Sequence, residues 1–341
     1  MSINNATIYD VAREADVSLA TVSRVINNPE KVKKETKDKV LKVIEALGYK
    51  PNQVAKGLAS KKTTTVGILV SDVTRASVAD MIGGILDIAK RYKYKIRLFT
   101  IDEDDDYLDV YSEIVAAQIE GVLVLHDELN VKQINDLKNT FENYHIPYVF
   151  VNMYTNDKDI PLVTVDYQKA SYDLTKHLLS LGRKDIYLLS SVRRYSVNEQ
   201  KELGYMKAMN EAGYTPKILR TSAQVHINKA HFEEFFREKK VDAAIGVRDS
   251  IAVSFQNVAL DNNRKIPGDL LVAGFQNTKY SLLSHPTLTT IDIPVYDLGA
   301  VSMRLLTKIL KNGKEVNQVI ILPHQIIYRN STKISAIEDK K

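Results

Sequence analysis

The apolar positions of the first fifty residues recur at the spacing of short α-helices. Thr7 and Ser18 are suited to cap two such helices, of which the second runs from Leu19 to Asn27. Only two residues separate the pair, so the sequence predicts a sharp helix–turn–helix corner. A third helix is predicted from about 36 to 47. Together they would form a small all-α domain over residues 1–50.

From Val66 onward the pattern changes to short apolar runs that alternate with helical segments. The predicted strands are 66–70, 96–101, 121–125, 148–151, 162–165, 186–189, 243–247, 270–275 and 289–293. The predicted helices are 77–92, 107–119, 167–181, 198–212, 227–239, 250–262 and 295–310. This alternation is typical of parallel sheets covered by helices on both faces. Nine strands exceed one sheet of ordinary size, so we predict two α/β lobes with a ligand cleft between them.

The segment 51–62 links these two regions. It could form a helix, but it is short and contains Gly57, so alone in water that helix would be marginal. We expect it to become ordered on contact with a partner.

The charge is unevenly distributed along the chain. Its 341 residues include 47 Lys and Arg against 42 Asp and Glu, a net charge of +5. Residues 1–62 hold 12 basic and 7 acidic residues, so the whole excess lies there. Such a concentration favours a polyanionic partner, with a basic solvated face as the alternative.

Composition excludes several classes of chemistry. The absence of cysteine excludes disulfides, zinc fingers, iron–sulfur clusters and cysteine nucleophiles. We find no apolar stretch of membrane-spanning length and no secretion signal, so we expect a cytoplasmic protein without a membrane association. Phosphate-loop, dinucleotide and hydrolase motifs are missing, so we expect neither an enzyme nor a cofactor.

The second helix has the residue types that reading DNA requires. Its N-terminal Leu19 and Ala20, with Arg24 one turn later, are placed to meet base edges in a major groove. Phosphate oxygens could be bound by Thr7, Ser18, Thr21, Ser23 and Asn27. The alternative is a three-helix domain that binds protein, with the hydroxyls serving only as caps.

Four segments closely resemble the lactose/galactose repressor (LacI/GalR) family: 7–12 (TIYDVA), 17–18, 20–27 (ATVSRVIN) and 47–52 (LGYKPN). The resemblance implies a homodimer that binds a pseudo-palindromic double-stranded DNA operator. It also implies that 51–62 is a hinge helix that folds on the operator and places a leucine in the minor groove. Leu58 occupies that position, and Asn52 and Ala55 are further candidate contacts. An inert linker is the alternative.

The fold implied is a helix–turn–helix head joined by the hinge helix to a periplasmic-binding-protein-like α/β core of two doubly wound parallel-sheet lobes. The core would span 63–341. The expected first lobe is about 63–163 plus 293–322, the second is about 164–292 plus 323–335, and 336–341 form a polar tail.

The segment 296–308 (YDLGAVSMRLLTK) resembles family members that control carbon catabolism and take the serine-phosphorylated phosphocarrier HPr as co-repressor. Arg304 and Lys308 are four residues apart, so they project from one helix face and could clamp a phosphoserine. Asp297 could pair with a partner arginine. The remaining candidates for this surface are Asp87, Tyr92, Tyr296, Val301, Leu305 and Thr307. A solvated basic helix face is the alternative.

Other positions depart from the family. Gln276 replaces the ligand-binding aspartate of sugar-binding relatives, Lys201 replaces their arginine, and Gln325 replaces an arginine of the co-repressor region. Asp72 and Asp249 complete the candidate effector cleft. These changes favour a protein co-repressor over a sugar inducer, although sugar phosphates stay possible partners. Control by a small metabolite in the cleft is the alternative, and a solute-binding protein is a more distant one.

The acidic run 102–106 has the spacing of calcium ligands, but Tyr107 stands where the calcium loop requires glycine. We therefore expect no metal site.

Overall fold

A computed structural model describes residues 6–49, 63–101, 107–125, 129–193, 195–222, 225–312 and 318–333. They fall into two compact units, divided after Thr63. The first unit contains helices α1 (Ile8–Glu14), α2 (Leu19–Asn27) and α3 (Lys34–Ala46), with a 3₁₀ turn at Pro29–Lys31. Its core is built from Val11, Ala12, Ala15, Val22, Val25 and Val40. The three predicted helices are confirmed within about two residues.

The second unit alternates strands and helices. Its strands are β1 (Thr65–Val70), β2 (Lys95–Thr100), β3 (Gly121–Val124), β4 (Tyr148–Val151), β5 (Leu162–Val165), β6 (Ile186–Ser191), β7 (Lys217–Thr221), β8 (Ala243–Gly246), β9 (Leu271–Phe275), β10 (Thr289–Asp292), β11 (Val319–Leu322) and β12 (Gln325–Ile327). Its helices are α4 (Ala76–Tyr92), α5 (Tyr107–Ala116), α6 (Val131–Asn143), α7 (Tyr167–Ser180), α8 (Ser196–Glu211), α9 (Val225–Glu238), α10 (Asp249–Asp261), α11 (Lys279–Leu283) and α12 (Val295–Asn312).

The strands form two six-stranded sheets, ordered β11-β5-β4-β3-β1-β2 in the first lobe and β12-β10-β9-β8-β6-β7 in the second. The two orders match position by position, and the pairs are parallel except for β10 with β12. Strands β3, β4, β8 and β9 are buried along their whole length, because helices cover both faces of each sheet. The predicted pair of doubly wound lobes is confirmed.

Within the described ranges, three edge strands and two helices were not predicted from the apolar pattern. Strand β7 (KILRT) has polar residues at both ends and β12 has only three residues, so neither shows a continuous apolar run. Strand β11 (VIIL) is a continuous apolar run that was overlooked, and its residues are exposed or half-buried at the edge of the sheet. Helix α6 did carry a helical signal, since Ile134, Leu137 and Phe141 are buried and Asn130 caps its start.

Among the described elements, the chain passes between the lobes three times: after β5, between β10 and α12, and between β11 and β12. Because β5 belongs to the first sheet, the first lobe reaches residue 165, two residues beyond the expected border. Helix α12 returns to the first lobe and packs against α4, β3, β4 and β5.

Candidate functional site

The helix α2 presents the predicted DNA-reading residues on its open side. Leu19 is 39% exposed, and Ala20 and Arg24 are also exposed. Val22 and Val25 on the opposite side are buried in the small core. This amphipathic division leaves the N-terminal half of α2 accessible for base edges. Ser23 is half-buried, and the side chain of Asn27 lies outside the described residues.

The hydroxyls predicted to bind phosphate also cap the two helices. Thr7 accepts a hydrogen bond from the Asp10 amide at 3.4 Å, and the Thr7 amide donates to the Asp10 carboxylate at 2.9 Å. The Thr7 hydroxyl also donates to the Asp10 carboxylate at 2.7 Å, and the hydrogen bonds from the Thr7 hydroxyl and amide to this carboxylate lower the pKa of Asp10. Ser18 accepts from the Thr21 amide at 3.2 Å and shares a hydrogen bond with the Thr21 hydroxyl at 2.9 Å. Both caps stand at helix N-termini, where free N–H groups favour an anion.

The hinge candidates Asn52, Ala55 and Leu58 lie outside the described residues, so their assignment stays a prediction.

Helices α4 and α12 approach each other backbone to backbone. A Cβ on Gly84 would lie 2.0 Å from the Tyr296 carbonyl oxygen, and a Cβ on Gly299 would lie 2.0 Å from the Met81 carbonyl oxygen. Only glycine fits at both positions. This contact places the outer side chains of two sequence-distant helices on one surface, which we call the α4–α12 surface.

The α4–α12 surface contains a groove of about 460 Å³ lined by Asp87, Ile88, Lys90, Arg91, Tyr296, Asp297, Ala300, Val301 and Arg304. The Tyr296 hydroxyl donates to Asp87 Oδ2 at 2.5 Å, a bond that raises the pKa of Tyr296. Arg304 and Lys308 are exposed on α12. At the C-terminal ends of α4 and α12, Lys311 Nζ lies 4.8 Å from the ring centroid of Tyr92. The groove thus combines cations, two carboxylates and an exposed aromatic ring.

Two residues predicted for this surface are not on it. Leu305 is 4% exposed and Thr307 is 3% exposed, and the Thr307 hydroxyl donates to the Met303 carbonyl at 2.8 Å. They face inward because α12 covers the first sheet, which corrects their assignment as contacts. Sequence reasoning missed Lys90 and Arg91, which line the groove from α4. They could have been predicted from the sequence, because they follow Asp87 by one helical turn and therefore lie on the same face of α4.

The candidate effector residues divide between the lobes. Lys201, Asp249 and Gln276 are all at least nine-tenths buried in the second lobe. Asp72 is exposed in the first lobe, where it accepts hydrogen bonds from the Thr74 amide and hydroxyl. Three of the four predicted residues therefore lie in the same lobe.

Asp249 is tied into its own lobe. Its carboxylate accepts from the Thr278 amide at 2.7 Å, the Thr278 hydroxyl at 3.0 Å and the Thr290 hydroxyl at 2.6 Å. Burial raises its pKa to about 6, although these hydrogen bonds act in the opposite direction. Its hydrogen-bonding capacity is thus largely used to join the start of α10 to Thr278, which precedes α11, and to Thr290 on β10.

Among the residues that the structure describes, no cluster of His, Asp and Glu has the arrangement of a metal site. The acidic run 102–106 lies outside them. No helix in the described ranges has the length and apolar character required to cross a bilayer.

Comparison with known proteins decides the family. Residues 7–52 match the bacterial regulatory proteins of the lacI family. Residues 63–330 match the periplasmic binding proteins and sugar binding domain of the LacI family. The chain belongs to the LacI family.

Individual LacI-family proteins resemble the chain over nearly its full length. It is 38% identical to catabolite control protein A of Priestia megaterium over 335 residues, covering 96% of this chain and 100% of that protein. The Lac repressor dimer bound to operator and the anti-inducer ONPF has the same fold, with a TM-score of 0.88 at 21% identity, covering 96% and 99% of the two chains. The transcription regulator CcpA of Lactococcus lactis gives a TM-score of 0.68 at 30% identity over 79% and 99%. This LacI-family chain is a DNA-binding transcription regulator, and its relatives are regulators rather than enzymes.

Proposed function

We propose that this LacI-family regulator controls carbon catabolism, binds a pseudo-palindromic DNA operator as a homodimer, and takes serine-phosphorylated HPr as co-repressor. The observation that carries the co-repressor proposal is the α4–α12 surface. Arg304 and Lys308 stand exposed one turn apart beside a groove that also holds Asp87, Tyr296 and Asp297. A phosphoserine would find two cations there, and a basic residue of the same partner would find carboxylates.

The similarity to catabolite control protein A supports the same assignment, since it extends over nearly the whole chain. Control by a sugar in the cleft receives less support, because the Asp249 carboxylate already accepts hydrogen bonds from Thr278 and Thr290 of its own lobe. Sugar phosphates are a secondary input in this proposal.

Dimerisation is supported by exposed apolar residues on the second lobe. Tyr280 is 45% exposed, Leu282 57% and Leu283 73%, all on α11. Tyr280 borders a cavity of about 710 Å³ that also involves α10 and Lys229. Three exposed apolar side chains on one short helix fit burial against a twofold-related copy of the same chain. Sedimentation velocity tests this, and Leu282→Ser with Leu283→Ser should shift a dimer toward monomer.

The co-repressor would act by binding more tightly to the arrangement of the two lobes that allows DNA binding than to the arrangement that does not. Linkage then requires operator DNA to tighten co-repressor binding by the same factor. Titration of a labelled palindromic operator tests the proposal with serine-phosphorylated HPr, unphosphorylated HPr or a sugar phosphate present. Only the phosphorylated protein should tighten binding strongly. Equal effects of the two HPr forms would contradict a phosphoserine clamp, and tightening by the sugar phosphate alone would place control in the cleft.

A further inference from the structure

Lys201 is a charged residue in an almost fully enclosed position. It lies on α8 in the second lobe and is only 2% exposed. Its Nζ donates to the Val247 carbonyl oxygen at 2.9 Å. The same atom lies 4.9 Å from the ring centroids of both Tyr167 and Phe275. A buried ammonium is strongly attracted to such partners, since little water competes for it.

One of these partners connects the lobes. Tyr167 is the first residue of α7 in the second lobe, and its hydroxyl donates to Asn152 Oδ1, in the loop after β4 of the first lobe. Both residues are 3% exposed. The Lys201 ammonium therefore lies against the ring whose hydroxyl crosses the cleft.

Two further hydrogen bonds cross at the start of α8. The Tyr154 amide donates to the Ser196 hydroxyl at 3.4 Å, and the Ser196 amide donates to the Leu129 carbonyl at 3.4 Å. Tyr154 and Leu129 belong to the first lobe, while Ser196 opens the helix that carries Lys201. Three of the hydrogen bonds between the described parts of the lobes thus involve either Tyr167, which Lys201 contacts, or Ser196, which opens the helix that carries Lys201.

We propose that Lys201 is a positioning residue that holds the two lobes together from within the chain. Its ammonium fixes the ring of Tyr167, and the ring directs the hydroxyl to Asn152. A polar bridge between the cleft walls is what a small-molecule effector would supply, and here the protein's own side chains make it. The lobes then respond to a partner on the outer surface rather than to occupation of the cleft. The inference is independent of which protein binds the α4–α12 surface.

Hydrogen exchange of the full-length protein, resolved to single amides by mass spectrometry, tests the proposal. The Tyr154 and Ser196 amides report opening of the cleft. The Val122 and Leu271 amides serve as references, because they bond to Pro147 and Asp242 within one lobe. Lys201→Met should raise exchange at the two cleft amides about tenfold or more and leave the references unchanged.

Tyr167→Phe removes only the hydroxyl and should give a similar increase at the cleft amides. Since both changes break the same bridge, the double variant should exceed either single variant by no more than about twofold. Lys207→Met is the matched control: Lys207 lies on the same helix, with its Nζ 5.3 Å from the Tyr172 ring. It should leave all four amides unchanged.

Unchanged cleft amides in Lys201→Met would overturn the proposal. A uniform rise at all four amides would also overturn it, because it would show a general packing role. If the increases in exchange of the two single variants multiply in the double variant, Lys201 and Tyr167 act independently. That result would also overturn the proposal. If the methionine variant fails to fold, Lys201→Gln repeats the test, since it keeps a donor for Val247 without the charge; a smaller but selective rise is expected.

Discussion

The hydroxyl of Tyr296 donates to Asp87 Oδ2 at 2.5 Å, although the two residues are 209 positions apart in the chain. The bond joins α12 to α4 through two residues that line the exposed groove. It holds the aromatic ring, which is 46% exposed, in one orientation at the surface. An exposed hydrogen bond adds little to stability, so its main consequence is the shape presented to a partner.

Tyr296→Phe should therefore weaken binding of serine-phosphorylated HPr about three- to tenfold, because the ring keeps its area and loses its fixed orientation. Fluorescence anisotropy with labelled HPr measures the change. Operator binding without HPr should stay as in the wild type. Unaltered HPr affinity would show that the Asp87 bond does not shape the docking surface.

Arg304→Ala combined with Lys308→Ala should abolish the response to phosphorylated HPr while basal operator affinity is nearly unchanged. Both cations are exposed on α12, so their removal does not open the core. Operator titration with and without the phosphoprotein is the measurement. The control is Lys176→Ala with Lys207→Ala, which removes two exposed cations from the second lobe. An equal loss of basal operator affinity would refute the assigned role.

Arg24→Ala should cost roughly 1–3 kcal/mol in specific operator binding, the usual value of a bidentate contact to guanine. Arg24 is exposed on α2, and the small core beneath it contains Val22 and Val25. Competition between operator and random DNA of the same length measures the specificity. Parallel losses on both DNAs would make Arg24 a phosphate contact instead.

Gly84→Ala should destabilise the second unit by about 1–3 kcal/mol or more, because the new Cβ would lie 2.0 Å from the Tyr296 carbonyl oxygen. Gly83→Ala is a matched control one residue away. A Cβ there would meet Tyr296 Cδ2 at 4.0 Å, so it should be neutral or stabilising by up to about 1 kcal/mol. Urea unfolding measures both variants. Equal stability of the two would show that the helices can separate without cost.

Asp249 makes unfolding stability depend on pH. Its pKa is raised from 3.8 to about 6, so between these values the folded chain holds a proton that the unfolded chain has lost. Wild-type stability relative to Asp249→Asn should therefore fall as pH rises from about 4 to 6, by an amount on the order of 3 kcal/mol. Unfolding at several pH values measures the difference. A constant difference would show that Asp249 has the same pKa folded and unfolded.

The repeated apolar runs made the two lobes predictable, because a strand that is buried on both faces has an unbroken run of apolar residues. Edge strands such as β7 lack that constraint and were missed. Thr7 and Ser18 were identifiable as caps because capping depends on local spacing.

Other relationships needed the folded chain. The spacing of α12 placed Leu305 and Thr307 near Arg304, yet the packing of α12 on the first sheet turned both inward. Lys201 looked like one polar residue of an effector cleft, and only the fold showed Tyr167, Phe275 and Val247 around its ammonium.

The sequence by itself determined the helix–turn–helix head, the two-lobed core, the basic N-terminal region and the family, because periodicity, capping and motifs are local properties. The tertiary structure decided which side chains share a surface. Contacts such as Tyr296 with Asp87 join residues whose distance along the chain carries no information about their distance in space. That pairing is set by how helices and sheets pack, through close approaches such as Gly84 against the Tyr296 backbone.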